Sequence, residues 1–240
     1  MAITVLFEGT VAKHSESPEE NEDACRLAPD RGRVVLSDGA SESFDARSWA
    51  RLLVDRVIEE ELTLDVVAEC AEAYARLHDP ASMSWSRAAA YERGSFATLL
   101  VAQDYPESRM VRVAASGDSL ALWVDGGEVL ASFPYDRSEL FQEKPVLLAT
   151  RTNLNSSQSP AWATCEWPYD EQGYRFLLCM TDALGAWLLA HQERGDTSAL
   201  ERLLSIREPG ELRELVDQER IAGRMRRDDT TLVIASVTQG

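Results

Sequence analysis

The residues best suited to chemistry in this chain are aspartates placed where apolar runs end or begin. Four segments share the feature: Val34-Val35-Leu36-Ser37-Asp38-Gly39, Ala115-Ser116-Gly117-Asp118-Ser119, Leu178-Cys179-Met180-Thr181-Asp182-Ala183 and Arg227-Asp228-Asp229-Thr230-Thr231-Leu232-Val233. Carboxylates at such points project from the rim of a sheet. Where the rims meet, three or four oxygen ligands face one cleft, the donor set that octahedral magnesium or manganese takes with water completing the shell. Gly39, directly after Asp38, has no side chain to keep its own carbonyl from approaching an ion. Taken singly, an aspartate at a strand end is an ordinary turn former or helix N-cap. The order and context of the four, with Asn21-Glu22-Asp23-Ala24 as a further acidic element upstream of Asp38, argue for one divalent-metal site.

Hydrophobic periodicity supplies the elements that must hold these residues. Ile3 to Phe7 and Arg33 to Ser37 read as strands, with a polar loop from Lys13 to Asn21 between them. Two helices follow. Trp49, Leu53 and Val57 fall on one face of the first; Val66, Cys70, Tyr74 and Leu77 fall on one face of the second, which stops before Asp79-Pro80. Phe96 to Ala102, Met110 to Ala115, Leu120 to Val124 and Glu128 to Phe133 look like an antiparallel meander, its last turn made by Asp125-Gly126-Gly127. Tyr174 to Met180 reads as a buried strand running into a helix from Leu184. Two helices then centre on Leu200, Leu203 and Leu204 and on Leu212, Leu215 and Val216, with Pro209 in the first turn of the second; Thr231 to Val237 closes as a strand. Strands in runs and helices in pairs indicate an α+β layered sandwich.

Composition narrows the function classes. A chain of 240 residues that is 45% hydrophobic can bury a sizeable core, and is read as one domain spanning 1–240. A net charge of −17 argues against nucleic acid, whose binding rests on Lys and Arg neutralising phosphates. No apolar run is long enough for a membrane span, and Met1 to Glu8 lacks a basic leader, so a cytoplasmic location is expected. Cys25, Cys70, Cys165 and Cys179 lie far apart without metal-finger spacing and read as free thiols. His78 and His191 read as ordinary surface or helix-end residues. The six tryptophans, at 49, 85, 123, 162, 167 and 187, read mostly as core, with Trp162 and Trp167 able to line a cleft.

Six segments, in order, resemble the metal-dependent protein phosphatases, the type 2C serine/threonine phosphatase family, in its bacterial single-domain form: Asn21-Glu22-Asp23-Ala24, Ser37-Asp38-Gly39, Gly94-Ser95-Phe96-Ala97-Thr98, Gly117-Asp118-Ser119, Thr181-Asp182-Ala183-Leu184 and Asp228-Asp229-Thr230-Thr231. The resemblance implies a four-layer α-β-β-α sandwich, with two central antiparallel sheets flanked by helix pairs and a two-metal centre at one edge. It implies Asp38 as the bridging ligand of both ions, Gly39 as a carbonyl ligand, Asp182 and Asp228 holding one ion, Glu22 and Asp23 acting through water, and Asp118 as ligand of a weaker third ion. The ions would be Mg2+ or Mn2+. The implied reaction is hydrolysis of phosphoserine and phosphothreonine on proteins by a metal-bridging hydroxide, since two cations acidify the water between them and neutralise the phosphoryl oxygens. The implied partners are a phosphorylated protein and a cognate serine/threonine kinase.

The chain departs from the family pattern at several points. Ala40-Ser41-Glu42 stands in place of a glycine-rich turn, Thr181-Asp182-Ala183 in place of Ser-Asp-Gly, and Leu120 in place of an arginine. The family's phosphate-holding arginine corresponds to Pro18. Lys13 or His14 is the replacement within reach by sequence, Lys13 lacking the bidentate fork of an arginine. Loss of that arginine supports an alternative, a phosphatase-like binding or regulatory module. The segment about 143–165 corresponds to the family's variable flap, a surface loop beside the active site.

Overall fold

In a computed structural model, residues 3–156, 161–170 and 174–238 are described. The chain runs β1 (Ile3–Val11), β2 (Ala24–Ala28), β3 (Arg33–Ser37), α1 (Ala46–Val57), α2 (Leu64–Arg76), α3 (Trp85–Arg93), β4 (Phe96–Ala97), β5 (Leu99–Tyr105), β6 (Met110–Ser116), β7 (Leu120–Asp125), β8 (Glu128–Phe133), β9 (Leu148–Ala149), α4 (Thr152–Ser156), β10 (Ala163–Pro168), β11 (Arg175–Met180), α5 (Asp182–Glu193), α6 (Ser198–Ser205), α7 (Pro209–Ile221) and β12 (Thr230–Val237). Two five-stranded antiparallel sheets result, ordered β1-β12-β11-β7-β8 and β10-β6-β5-β3-β2, with a small β4-β9 pair beside them.

Three cores explain why the central strands are apolar at nearly every position. Alternate residues of a strand face opposite sides of its sheet. Val34, Leu36, Leu100 and Val113 of one sheet meet Trp123, Leu177, Cys179 and Val233 of the other in the core between the sheets. The residues between them point outward: Val35, Leu99 and Val101 pack under α1 and α2, while Leu122, Leu178, Leu232 and Ile234 pack under α5, α6 and α7. Each fully buried side chain of this size contributes about 1.5–3 kcal/mol. The layers are therefore helices, sheet, sheet and helices, with three helices rather than a pair on the second flank.

The expected four-strand meander is instead two hairpins in opposite sheets. β5 pairs with β6, β7 pairs with β8, and β6 and β7 belong to different sheets. Gly117-Asp118-Ser119 makes the crossing. Gly117 adopts φ +93°, and a Cβ there would lie 2.6 Å from Thr98, so this connection needs glycine. The run from Phe96 is broken at Thr98, whose backbone bonds Asp38. Leu77 lies past the end of α2 and is exposed, and Trp85 opens α3 with 87% of its surface in solvent; both leave the core expected for them. Much of the segment about 143–165 is ordered against the body: β9 pairs with β4, β10 forms the outer strand on β6, and buried Asn155 bonds both the N–H and the carbonyl of Ala149. Within that expected flap, residues 157–160 lie outside the described residues.

Candidate metal centre

The register of the sheets brings the aspartates to one rim. β11 ends at Met180 beside Leu232, near the start of β12, so Asp182 and Asp228 flank a shared strand end. β1 ends at Val11 opposite Thr230, which places Lys13 at the same rim, and β2 opens with Ala24 opposite Ser37, which sets Asp23 beside Asp38. In the second sheet β5 starts where β3 and β6 end, and Thr98 just before it ties the two exits together. Its hydroxyl accepts from Asp38 N at 2.8 Å and bonds Ser119 Oγ at 2.7 Å, and its carbonyl accepts from Ser37 Oγ at 2.6 Å. Gly39 passes against the first turn of α1 so closely that a Cβ would lie 2.9 Å from the Ala46 backbone.

Burial and mutual repulsion act on the aspartates at this rim. Asp38 is pushed well above the usual carboxylate range, first by burial and then by Asp23, Asp228 and Asp118, with Arg226 pulling the other way. Asp23 is raised to about 7 by burial and by Asp229 and Asp228, against the hydrogen bonds that its Oδ2 accepts from Thr231 Oγ1 at 2.6 Å and Thr181 Oγ1 at 3.1 Å. Burial also raises Asp118, opposed by Arg226. The Arg226 guanidinium pairs with Asp182 Oδ2, and its Nε lies 3.7 Å from Asp228 Oδ2. Asp38, Asp118, Asp182 and Asp228 therefore share Arg226 as a counter-charge, while Asp23 relies on the hydroxyls of Thr181 and Thr231.

That donor set suits a hard divalent cation. It is made of carboxylate oxygens, its members raise one another's proton affinity, and the buried Asp23 Oδ1 and Asp182 Oδ1 have no hydrogen-bond partner among the described residues. Among those residues no group of three His, Cys, Asp or Glu side chains is already gathered to hold an ion. Asp182 and Asp228 are turned to Arg226 instead.

No family model matches the chain, and no curated protein matches it in sequence. Its fold has counterparts among solved structures. It is similar to the photosystem II phosphatase PBCP, with a TM-score of 0.61 at 14% identity over 98% of this chain and 99% of that one. It is similar to the Mycobacterium tuberculosis serine/threonine phosphatase PstP/Ppp, with a TM-score of 0.61 at 13% identity over the full length of both. A structure of the PstP catalytic domain in complex with two manganese ions superposes with a TM-score of 0.59 at 14% identity, over 99% of this chain and 97% of that one. The chain has the fold of these phosphatases. The α-β-β-α layering expected from the sequence is thus present in full.

The Lys13 ammonium bonds Glu22 Oε2 at 2.6 Å and Ser41 Oγ at 2.7 Å. Glu22 and Asp229 raise the Lys13 pKa against the lowering effect of burial. Glu22, expected at a water-mediated position, is held by this pair. His14 stands exposed on the loop, and its ring makes no hydrogen bond among the described residues. Reasoning from the sequence missed two residues. Asp229 is 2% exposed and accepts the backbone N–H groups of Lys13 at 2.7 Å and Glu22 at 2.9 Å, tying the loop after β1 to the start of β12. Successive residues entering a strand face opposite ways, so the Asp228-Asp229 pair carried a signal that the two would serve different sides. Arg226 had no signal beyond its place next to the acidic pair.

Proposed function

We propose that the chain is a metal-dependent phosphatase acting on phosphoserine and phosphothreonine of proteins. The observation that carries the reading is the meeting of Asp23, Asp38, Asp118, Asp182 and Asp228 at one sheet rim, with Asp38 sensing three of the others, on the fold described. In this reading Asp38 and the Gly39 carbonyl would hold magnesium or manganese ions. Asp182 and Asp228 would also be ligands, Glu22 and Asp23 would act through water, and Asp118 would serve a weaker third ion. Bound there, such ions acidify water and neutralise phosphoryl charge. The PstP structure with two manganese ions supports the metal count by analogy.

The chain's own residues position these groups. Thr98 fixes the exits to Asp38 and Asp118 together, Thr181 and Thr231 orient Asp23, and Asp229 holds the backbone that presents Glu22. A phosphate contact from Lys13 would require its pair with Glu22 to open. The test is substitution at the ligands. Asp38→Asn and Asp228→Asn are expected to abolish turnover of a phosphothreonine peptide while unfolding as cooperatively as the parent, and full activity in either variant would sink the proposal.

A further inference from the structure

A cleft of about 380 Å³ lies between the loop after Asp38, the C-terminal end of α3 and the segment 144–147. It adjoins the candidate centre through backbone contacts on both walls. On one side Ala40 N donates to the Phe96 carbonyl at 2.9 Å, two residues past Asp38, and Gly39 bridges Ala97. On the other, Ser116 Oγ donates to the Val146 carbonyl at 3.2 Å, two residues before Asp118. The cleft thus runs beside the exits that carry two of the clustered carboxylates.

Its lining is two-sided in character. Phe44, Phe96, Pro145 and Leu147 form an apolar floor that is part-exposed, while Arg93 and Lys144 stand exposed at the rim, with Glu42 as the acidic group. Neither cation forms an ion pair among the described residues, and Arg93 donates only to the Ala89 carbonyl of its own helix there. In a chain of net charge −17 with only two lysines, the other of which is bound to Glu22, two unpaired cations beside an apolar floor mark a place for an acidic partner.

We propose that this cleft receives the stretch of substrate protein flanking the phosphorylated residue, with an apolar side chain on Phe44, Phe96 and Leu147 and an acidic neighbour at Arg93 and Lys144. The inference rests on the phosphatase reading and names the substrate class: phosphoproteins whose phosphorylated residue lies beside an apolar and an acidic residue. The apolar part supplies contact area, and the cations select the flank by charge.

The test separates docking from chemistry. Two labelled phosphothreonine peptides, one flanked by Phe and Glu and one by Gly and Lys, are titrated by fluorescence anisotropy against the full chain with metal chelated, and hydrolysis of an aryl phosphate is followed separately with manganese. The Phe/Glu peptide is expected to bind at least about tenfold tighter, a difference of about 1.4 kcal/mol. Arg93→Glu with Lys144→Glu is expected to erase that preference without changing aryl phosphate hydrolysis, and Leu147→Glu to weaken the same peptide by burying a charge on the floor. Equal binding of the two peptides, or an undiminished preference in the charge-reversed protein, overturns the proposal. A preference that holds while the parent protein hydrolyses no aryl phosphate keeps the docking site and overturns the phosphatase reading instead.

Discussion

Replacing Asp229 by alanine removes both acceptors that hold the Lys13 and Glu22 amides, at 2.7 and 2.9 Å. Asp229 is 2% exposed, so water does not readily replace it. Hydrogen bonds to a charged group contribute about 1.5–3 kcal/mol each, which puts the loss of two at roughly 3–6 kcal/mol. The lower end is favoured because the substitution also relieves the repulsion that Asp229 exerts on buried Asp23. For a chain of this size a change of 1 kcal/mol moves Tm by about 2–4 °C, so metal-stripped Asp229→Ala should melt roughly 10 °C below the parent. Asp229→Asn keeps one acceptor but turns an NH2 toward the other N–H, and should fall between the two. Thermal unfolding by circular dichroism gives the stability, and amide hydrogen exchange at Lys13 and Glu22 shows whether those two bonds are its source. A Tm within about 2 °C of the parent, with both amides still protected, would refute this account of how the rim is held.

Further outcomes follow from the charge arrangement. Asp23 holds its proton to about pH 7 in the folded state against an ordinary value of 3.8, and Asp38 and Asp118 shift in the same direction. Between about pH 4 and 7 the folded protein binds protons that the unfolded chain has released, so the metal-stripped protein loses stability as pH rises through that window. Groups held low, such as Glu219 at about 2, act below it. Denaturant melts at pH 5 and pH 8 check the sign, and greater stability at pH 8 would contradict it. Calorimetry at pH 6 in buffers of different ionisation enthalpy should show protons released as manganese binds. Arg226→Ala removes the guanidinium that occupies Asp182 and Asp228, so manganese should bind several-fold more tightly by titration calorimetry; weaker binding would mean that Arg226 supports the ion rather than competing with it.

The sequence made the strands legible where both faces are buried, because Val34-Val35-Leu36 and Leu177-Leu178-Cys179 are apolar at every position. It did not show which sheet each hairpin joins. Period-two alternation is the same in either sheet, and the deciding feature, Gly117 packed on Thr98, is a tertiary contact. The strands β2 and β10 went unread because Cys25, Arg26, Thr164 and Glu166 leave them mixed in character, and α3 because none of its residues is buried. At the centre, the aspartates were legible as carboxylates at strand ends. What Lys13 does was not, since nothing local indicates that its ammonium closes on Glu22 and Ser41, 9 and 28 residues away.

The central claim is that these carboxylates hold divalent ions that hydrolyse phosphate esters. Its most direct test is hydrolysis of a phosphothreonine peptide by metal-stripped protein as manganese or magnesium is titrated back, with Asp38→Asn run alongside. The account predicts no turnover without metal, saturable recovery with it and none in the variant. Turnover that ignores the metal, or that survives in Asp38→Asn, would contradict it.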